Sequence, residues 1–241
     1  MRKIDVCLSP AMFQSYANNS TIVIVVDAIR ASASICTAFM NGVEHIVPVS
    51  KEKHALEYRK KGYMIAGERN GDRIEDFDFG NSPFNFSEKN IKGKKLAFTT
   101  TNGTRVINIV KDAKFDDIEL LIGSFLNINS LAEYVNSKDK DLMILCSAWK
   151  DNVNIEDTLF AGKLVHILSQ SKKYELFESA NLSHDIYLNS DKSHYDFVMR
   201  NSPRLKAKSK TLEKDFRYCL LEDLTDIIPY LEGDILVIKK Q

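Results

Sequence analysis

The sequence predicts an α/β protein: a three-layer α/β/α sandwich with a mixed, largely parallel sheet and a helical C-terminal third. Three observations carry this. Thr21-Ile22-Val23-Ile24-Val25-Val26 and Leu142-Met143-Ile144-Leu145-Cys146 are continuous apolar runs, as strands covered on both faces require. Strand and helix patterns alternate through the first two thirds. After Gln170 the texture turns helical, with Lys-rich and Ser-rich joints, up to about Leu221.

In order, Ile4 to Leu8 alternates and reads as a short strand. Thr21 to Val26 is the buried run, ending at Asp27. Ala31 to Met40 reads as a helix stopped by Asn41-Gly42. His45 to Val49 is a short strand, and Lys51 to Lys61 a charged, solvated helix. Tyr63 to Ala66 is a strand that runs into a turn, Gly67-Glu68-Arg69-Asn70-Gly71. Lys95 to Thr99 is a strand. Thr104 to Val110 is a helix with Val106, Ile107 and Val110 as its apolar stripe. Glu119 to Gly123 is a strand, and a helix runs from about Ile128 to Val135. The Leu142 run is a strand, and the polar loop Ser147 to Asn154 follows it. That loop leads through Glu156-Asp157 into an amphipathic helix, Leu159 to Leu168. Asp234 to Ile238 is the last strand. The expected division is a core over 1–170 that carries the site and a mainly helical part over 171–241 packed on it, the alternative being one domain over 1–241.

A chain of 241 residues, 44% hydrophobic and 27% charged, can bury a substantial core. Its 33 basic and 33 acidic residues cancel, which argues against nucleic acid as a partner. The longest apolar run near the start, Ile22 to Val26, is too short to span a bilayer. Met1-Arg2-Lys3-Ile4-Asp5 lacks the apolar stretch of a secretory signal. A cytoplasmic protein with no membrane partner is expected. Cys7, Cys36, Cys146 and Cys219 are widely spaced, with no Cys-x-x-Cys pair, and read as reduced, buried thiols.

Sheets of this kind bind ligands at the carboxyl ends of their strands. Four such ends carry unusual polar groups: Asp27 to Ser32, Glu68-Arg69, Thr99 to Arg105, and Cys146 to Asp157. Arg30, Arg69 and Arg105 suit phosphate or sulfonate oxygens. The hydroxyls of Thr99, Thr100 and Thr101 can donate to oxyanions. Gly103 allows close approach at a helix N-terminus. Asp27, Glu68, Glu156 and Asp157 are the hard oxygen donors that Mg²⁺ takes. Each has a plainer reading. Asp27 or Asp157 can cap a helix, and Glu68-Arg69 can be a surface ion pair. The threonines can be a strand edge, and Asn81-Ser82-Pro83 a turn before a helix start. Cys146 reads as core, and the five histidines lack metal-ligand spacing. No Cys-x5-Arg loop, Arg-His-Gly, Gly-x-Ser-x-Gly or Gly-Lys-Ser occurs, and Asp76-Phe77-Asp78 lacks the following Thr or Val of an aspartyl-phosphate phosphatase.

Taken together, Val25-Val26-Asp27-Ala28-Ile29-Arg30-Ala31-Ser32, Gly67-Glu68-Arg69, Phe77-Asp78-Phe79-Gly80-Asn81-Ser82-Pro83, Thr99-Thr100-Thr101-Asn102-Gly103-Thr104-Arg105 and Glu156-Asp157 resemble the 2-phosphosulfolactate phosphatase family in order and spacing. The resemblance runs from about Ile4 to Gly162 and continues faintly through Asp215-Phe216-Arg217-Tyr218-Cys219 to Pro229. It implies Mg²⁺-dependent hydrolysis of 2-phospho-3-sulfolactate to sulfolactate and phosphate, a step toward coenzyme M, on an α/β/α fold. By motif position, Asp27, Glu68, Glu156 and Asp157 would be the metal-side acids, with Asp27, Glu68 and Arg30 catalytic. Arg69, Asn81, Ser82, Thr100, Thr101, Asn102, Gly103 and Arg105 would bind substrate. The expected partner is a small anion bearing phosphate plus sulfonate or carboxylate, and a homodimer is compatible with this. Asn70 and Asp76 stand where the family usually has glycine, and Ser147 to Asn154 is bulkier than the family's Gly-containing loop. Attack by water and a phospho-enzyme through Ser32, Thr99 or Cys146 are both open routes. The rival of another class is a non-catalytic sensor of a sulfonate or phosphate metabolite. Clustered carboxylates speak against that rival, because a pure anion binder has no use for them.

Overall fold

A computed structural model of the chain describes residues 1–16, 21–87, 91–113, 115 and 117–239. In chain order the strands are β1 (Arg2–Cys7), β2 (Thr21–Val26), β3 (His45–Pro48), β4 (Met64–Arg69), β5 (Asp72–Arg73), β6 (Lys95–Thr99), β7 (Glu119–Gly123), β8 (Asp141–Cys146), β9 (Tyr174–Leu176), β10 (Pro229–Glu232) and β11 (Ile235–Ile238). The α-helices are α1 (Phe13–Tyr16), α2 (Ala31–Met40), α3 (Glu52–Arg59), α4 (Gly103–Lys111), α5 (Ile128–Asn136), α6 (Ile155–Ser169), α7 (Glu178–Leu188), α8 (His194–Asn201) and α9 (Pro203–Cys219).

The strands form one mixed, largely parallel sheet in the order β5-β4-β6-β3-β11-β10-β7-β2-β8-β1-β9. β2 is central and buried along its whole length, as its β-branched run demands. Its alternate residues face opposite layers. Ile22, Ile24 and Val26 pack under α5 and α6. Val23 and Val25 pack under α2 and α4. A smaller cluster, including Val47, Ala55, Ile65 and Ala97, seats α3 on the β4-β6-β3 side. These two helical faces make the predicted sandwich.

Four elements differ from the sequence reading. β4 continues through Gly67-Glu68-Arg69, and the turn is Asn70-Gly71, both at positive φ (55° and 96°). That is the two-residue hairpin an Asn-Gly pair favours. The α6 helix starts at Ile155, so Glu156 and Asp157 lie in its first turn, where acidic side chains suit the helix dipole. α6 is also buried nearly all round, because α7 covers the side expected to face water. The stretch after Gln170 is mainly helical, but it opens with β9, which extends the sheet beside β1. The final strand is half of a hairpin, β10–β11, which sits inside the sheet. β11 pairs with β3 and β10 with β7, both antiparallel. No helix among the described residues is long and apolar enough to cross a membrane.

Candidate active site

A half-open cleft lies at the carboxyl ends of β2, β4 and β8, beneath α9. Asp27, Glu68 and Glu156 line it, as do Asn81 and Asn102. Arg30, Arg204 and Lys208 bring the positive charge. Its inner space is only about 40 Å³, room for a few waters.

Asp27 follows the last residue of β2 and is half-buried. The Gly103 N–H donates to its Oδ2 at 3.0 Å. This needs glycine: a Cβ there would lie 2.9 Å from both Ala31 Cβ and Asp27 Oδ2. Burial, then the charges of Glu68 and Glu156, push the Asp27 carboxyl up to about 6, against the amide bonds that favour its charged form. Glu68 is buried and accepts from the Thr101 N–H (2.6 Å), the Thr101 hydroxyl (3.0 Å) and the Gly71 N–H (2.5 Å). Glu156 is buried and paired with Arg204 through Oε1, while its Oε2 has no partner. Burial raises its pKa, with Arg204 acting against that rise. The Asn81 Oδ1 is likewise buried and unpartnered.

Asp157 is placed differently. Its Oδ1 accepts from the Ala28 N–H (2.8 Å) and its Oδ2 from the Ala148 N–H (3.1 Å). Both oxygens tie together the loops after β2 and β8, and the residue does not line the cleft. Burial first, then Glu156 and Asp27, hold its pKa well above the usual carboxylate range. Asp157 thus joins two loops and does not cap α6, whose cap is Asn154.

The substrate-side residues divide in the same way. Arg30 lines the cleft, but its Nη1 donates to Asp215 (2.7 Å) and its Nη2 to the Gly71 carbonyl (2.8 Å). Arg69 follows Glu68 on a strand and so points to the opposite face. There its Nε meets Glu52 (3.2 Å), and its Nη2 donates to the Thr99 hydroxyl (2.9 Å). Arg105 pairs with Asp151 at 2.6 Å, and neither Arg69 nor Arg105 lines the cleft. Ser82 donates to Asp215 at 2.8 Å. Thr100 and Thr104 cap one another: each amide donates to the other's hydroxyl, at 2.8 and 3.0 Å. Thr101 serves Glu68. The threonine run therefore builds the turn into α4, and its hydroxyls are committed to protein groups. Ser32, Thr99 and Cys146 are all buried and do not line the cleft; burial raises the Cys146 thiol well above its ordinary value.

Sequence reasoning missed the roof. Arg204, Lys208 and Asp215 lie at i, i+4 and i+11 on one face of α9. Arg204 stacks over the Trp149 ring, 4.7 Å from its centroid, as it reaches Glu156. Lys208 donates to the Asn70 carbonyl at 2.5 Å. The signal was present in Ser202-Pro203, a helix start, followed by this polar stripe; nothing local tied it to strand ends far away in the chain.

A model of the 2-phosphosulpholactate phosphatase family matches residues 7–234. Three relatives are each named "probable 2-phosphosulfolactate phosphatase". The Clostridium novyi protein is 34% identical over 94% of this chain and 96% of its own. The Thermotoga petrophila protein is 33% identical over 90% and 92%. The Caldanaerobacter subterraneus protein is 32% identical over 89% of each. With the model spanning nearly the whole sequence and these relatives aligned over most of both partners, the chain belongs to the 2-phosphosulpholactate phosphatase family.

Proposed function

We propose that this chain hydrolyses 2-phospho-3-sulfolactate, or a closely related small phosphorylated hydroxy acid, to sulfolactate and phosphate, and that it requires Mg²⁺. The observation that carries the proposal is the pairing of family membership with one cleft in which three carboxylates face three cations. Among the described residues no three His, Cys, Asp or Glu side chains close on one point to cage a metal alone. Mg²⁺ does not ask for such a cage, since it keeps waters and substrate oxygens. Asp27, Glu68 and Glu156 are the residues that would hold it, and the unpartnered oxygens of Glu156 and Asn81 are unspent donors beside them. When bound, the metal supplies charge neutralisation at the phosphoryl group and a more acidic water.

The chain's own residues supply the rest. Asp27, placed at the end of β2 and lining the cleft, accepts the proton of the attacking water. The water oxygen bonds to phosphorus as the bond from phosphorus to the C2 oxygen breaks, and that oxygen takes up a proton from solvent water. The carboxamides of Asn81 and Asn102 orient the substrate. Arg30, fixed by Asp215 and the hairpin tip, holds positive charge at the phosphoryl end without moving. With no Ser, Thr or Cys among the described residues that line the cleft, the reading favours direct attack by water.

Purified protein is expected to release phosphate from 2-phospho-3-sulfolactate with Mg²⁺ and to stop when a chelator is added. Asp27→Asn should cost at least roughly a hundredfold in kcat, the scale of a lost general base. Absence of metal-dependent turnover across a panel of phosphorylated hydroxy acids would sink the reading.

A further inference from the structure

The arginines named by the motifs are already occupied: Arg30 by Asp215 and the Gly71 carbonyl, Arg69 by Glu52 and Thr99, Arg105 by Asp151. A substrate with a phosphate and further acidic groups needs more positive charge than these leave. The remaining cations in the cleft are Arg204 and Lys208, one turn apart on the same face of α9. Their surroundings differ. Arg204 is oriented by the Trp149 ring and neutralised by Glu156. Lys208 has a carbonyl oxygen, that of Asn70, as its partner and no carboxylate among the described residues. An ammonium group facing a neutral acceptor in a cleft lined by fixed groups has its charge still to use. Arg204 is tied to the metal-side Glu156, whereas Lys208 holds only the Asn70 carbonyl, so Lys208 is the roof cation that a second anion can take without displacing a metal-side acid.

Resting on the phosphatase reading, we propose that Lys208, with Arg204 beside it, forms the subsite for the substrate's second strong anion, the sulfonate on C3, and that this subsite sets specificity. Lys208 exchanges the Asn70 carbonyl for a sulfonate oxygen. Arg204 keeps its plane against Trp149 and presents its edge to the same group. A substrate with a methyl group in place of the sulfomethyl group leaves Lys208 on the Asn70 carbonyl.

The test compares kcat/KM for 2-phospho-3-sulfolactate and 2-phospholactate in the wild type, Lys208→Gln and Lys208→Arg. Lys208→Gln should lower the ratio of the two at least tenfold, mainly through KM for the sulfonated substrate, and Lys208→Arg should restore most of it. An unchanged ratio in Lys208→Gln overturns the inference. Calorimetric binding of sulfolactate keeps the two readings apart. If the wild type hydrolyses neither compound, the phosphatase reading falls. In that case weaker sulfolactate binding by Lys208→Gln still supports the subsite, and equal binding overturns it.

Discussion

Asp27 accepts bonds from backbone amides, yet its carboxyl rises to about 6, because burial and the charges of Glu68 and Glu156 outweigh them. The sign of the consequence follows. An acid whose folded pKa lies above its unfolded value of about 3.9 stabilises the fold most when protonated. That stability is present below about pH 4 and is lost as pH rises through about 6. Metal-free protein should therefore show a lower urea midpoint at pH 7 than at pH 5. In Asp27→Asn that loss should shrink by roughly 1–3 kcal/mol, less if solvent screens the group. The loop after β8 carries a different strain. Ala148, Lys150 and Asp151 all have positive φ (58°, 51° and 64°). Asp tolerates that region through its short polar side chain, whereas Lys does not. Lys150→Gly should stabilise by about 1 kcal/mol and raise Tm by roughly 2–4 °C in a scanning melt. Asn70 and Asp76 share this backbone region, with φ of 55° and 66°. Single residues were thus legible by type: acids at strand ends, glycine-like turns. Direction was not. Arg69 has the right chemistry one position too late on a strand, and only the pleat sends it to the other face.

At the level of elements, the β4–β5 hairpin and α9 hold the cleft between them. The two carbonyls at the hairpin tip, Asn70 and Gly71, receive Lys208 and Arg30. Asp215 on α9 takes both Arg30 and Ser82. Removing Asp215 leaves a guanidinium buried without its counter-charge, which costs more than the pair gains. Asp215→Ala is expected to destabilise by about 3–5 kcal/mol. It should also speed amide exchange in α9 well before α6, read by hydrogen–deuterium exchange. Equal protection of both helices in the variant would contradict α9's dependence on this pair. The sequence showed α9 as helical but not as part of the site. Its polar stripe is an ordinary solvated face until tertiary packing turns it toward the ends of β2, β4 and β8, all far earlier in the chain. The start of α6 was hidden for a related reason. Asn154 caps it by accepting from the Asp157 N–H, so Glu156-Asp157 belongs to the helix that a purely apolar pattern begins later.

For the whole molecule, the sheet has two parallel parts, β4-β6-β3 with β5 at one side and β7-β2-β8-β1-β9 at the other. Among the described residues the β10–β11 hairpin carries the strand pairing between them, through Leu236 beside Ile46 and Tyr230 beside Leu121. Ile235–Ile238 was legible as a strand from its four apolar residues, but its position was not, since a run of that kind fits any covered place in a sheet. A chain ended after Asp226 should lose the single cooperative urea transition of the full chain and self-associate, because the sides of β3 and β7 would then lie open. Retention of a single transition at the original midpoint would contradict this. The same hairpin also puts a clock on biogenesis. A ribosome adding about 5–20 residues per second needs roughly 5–20 s to travel from the end of β7 to β10. Throughout that interval the nascent chain carries two half-sheets with unpaired backbone, each a ready target for a holding chaperone or for a neighbouring chain on the same message.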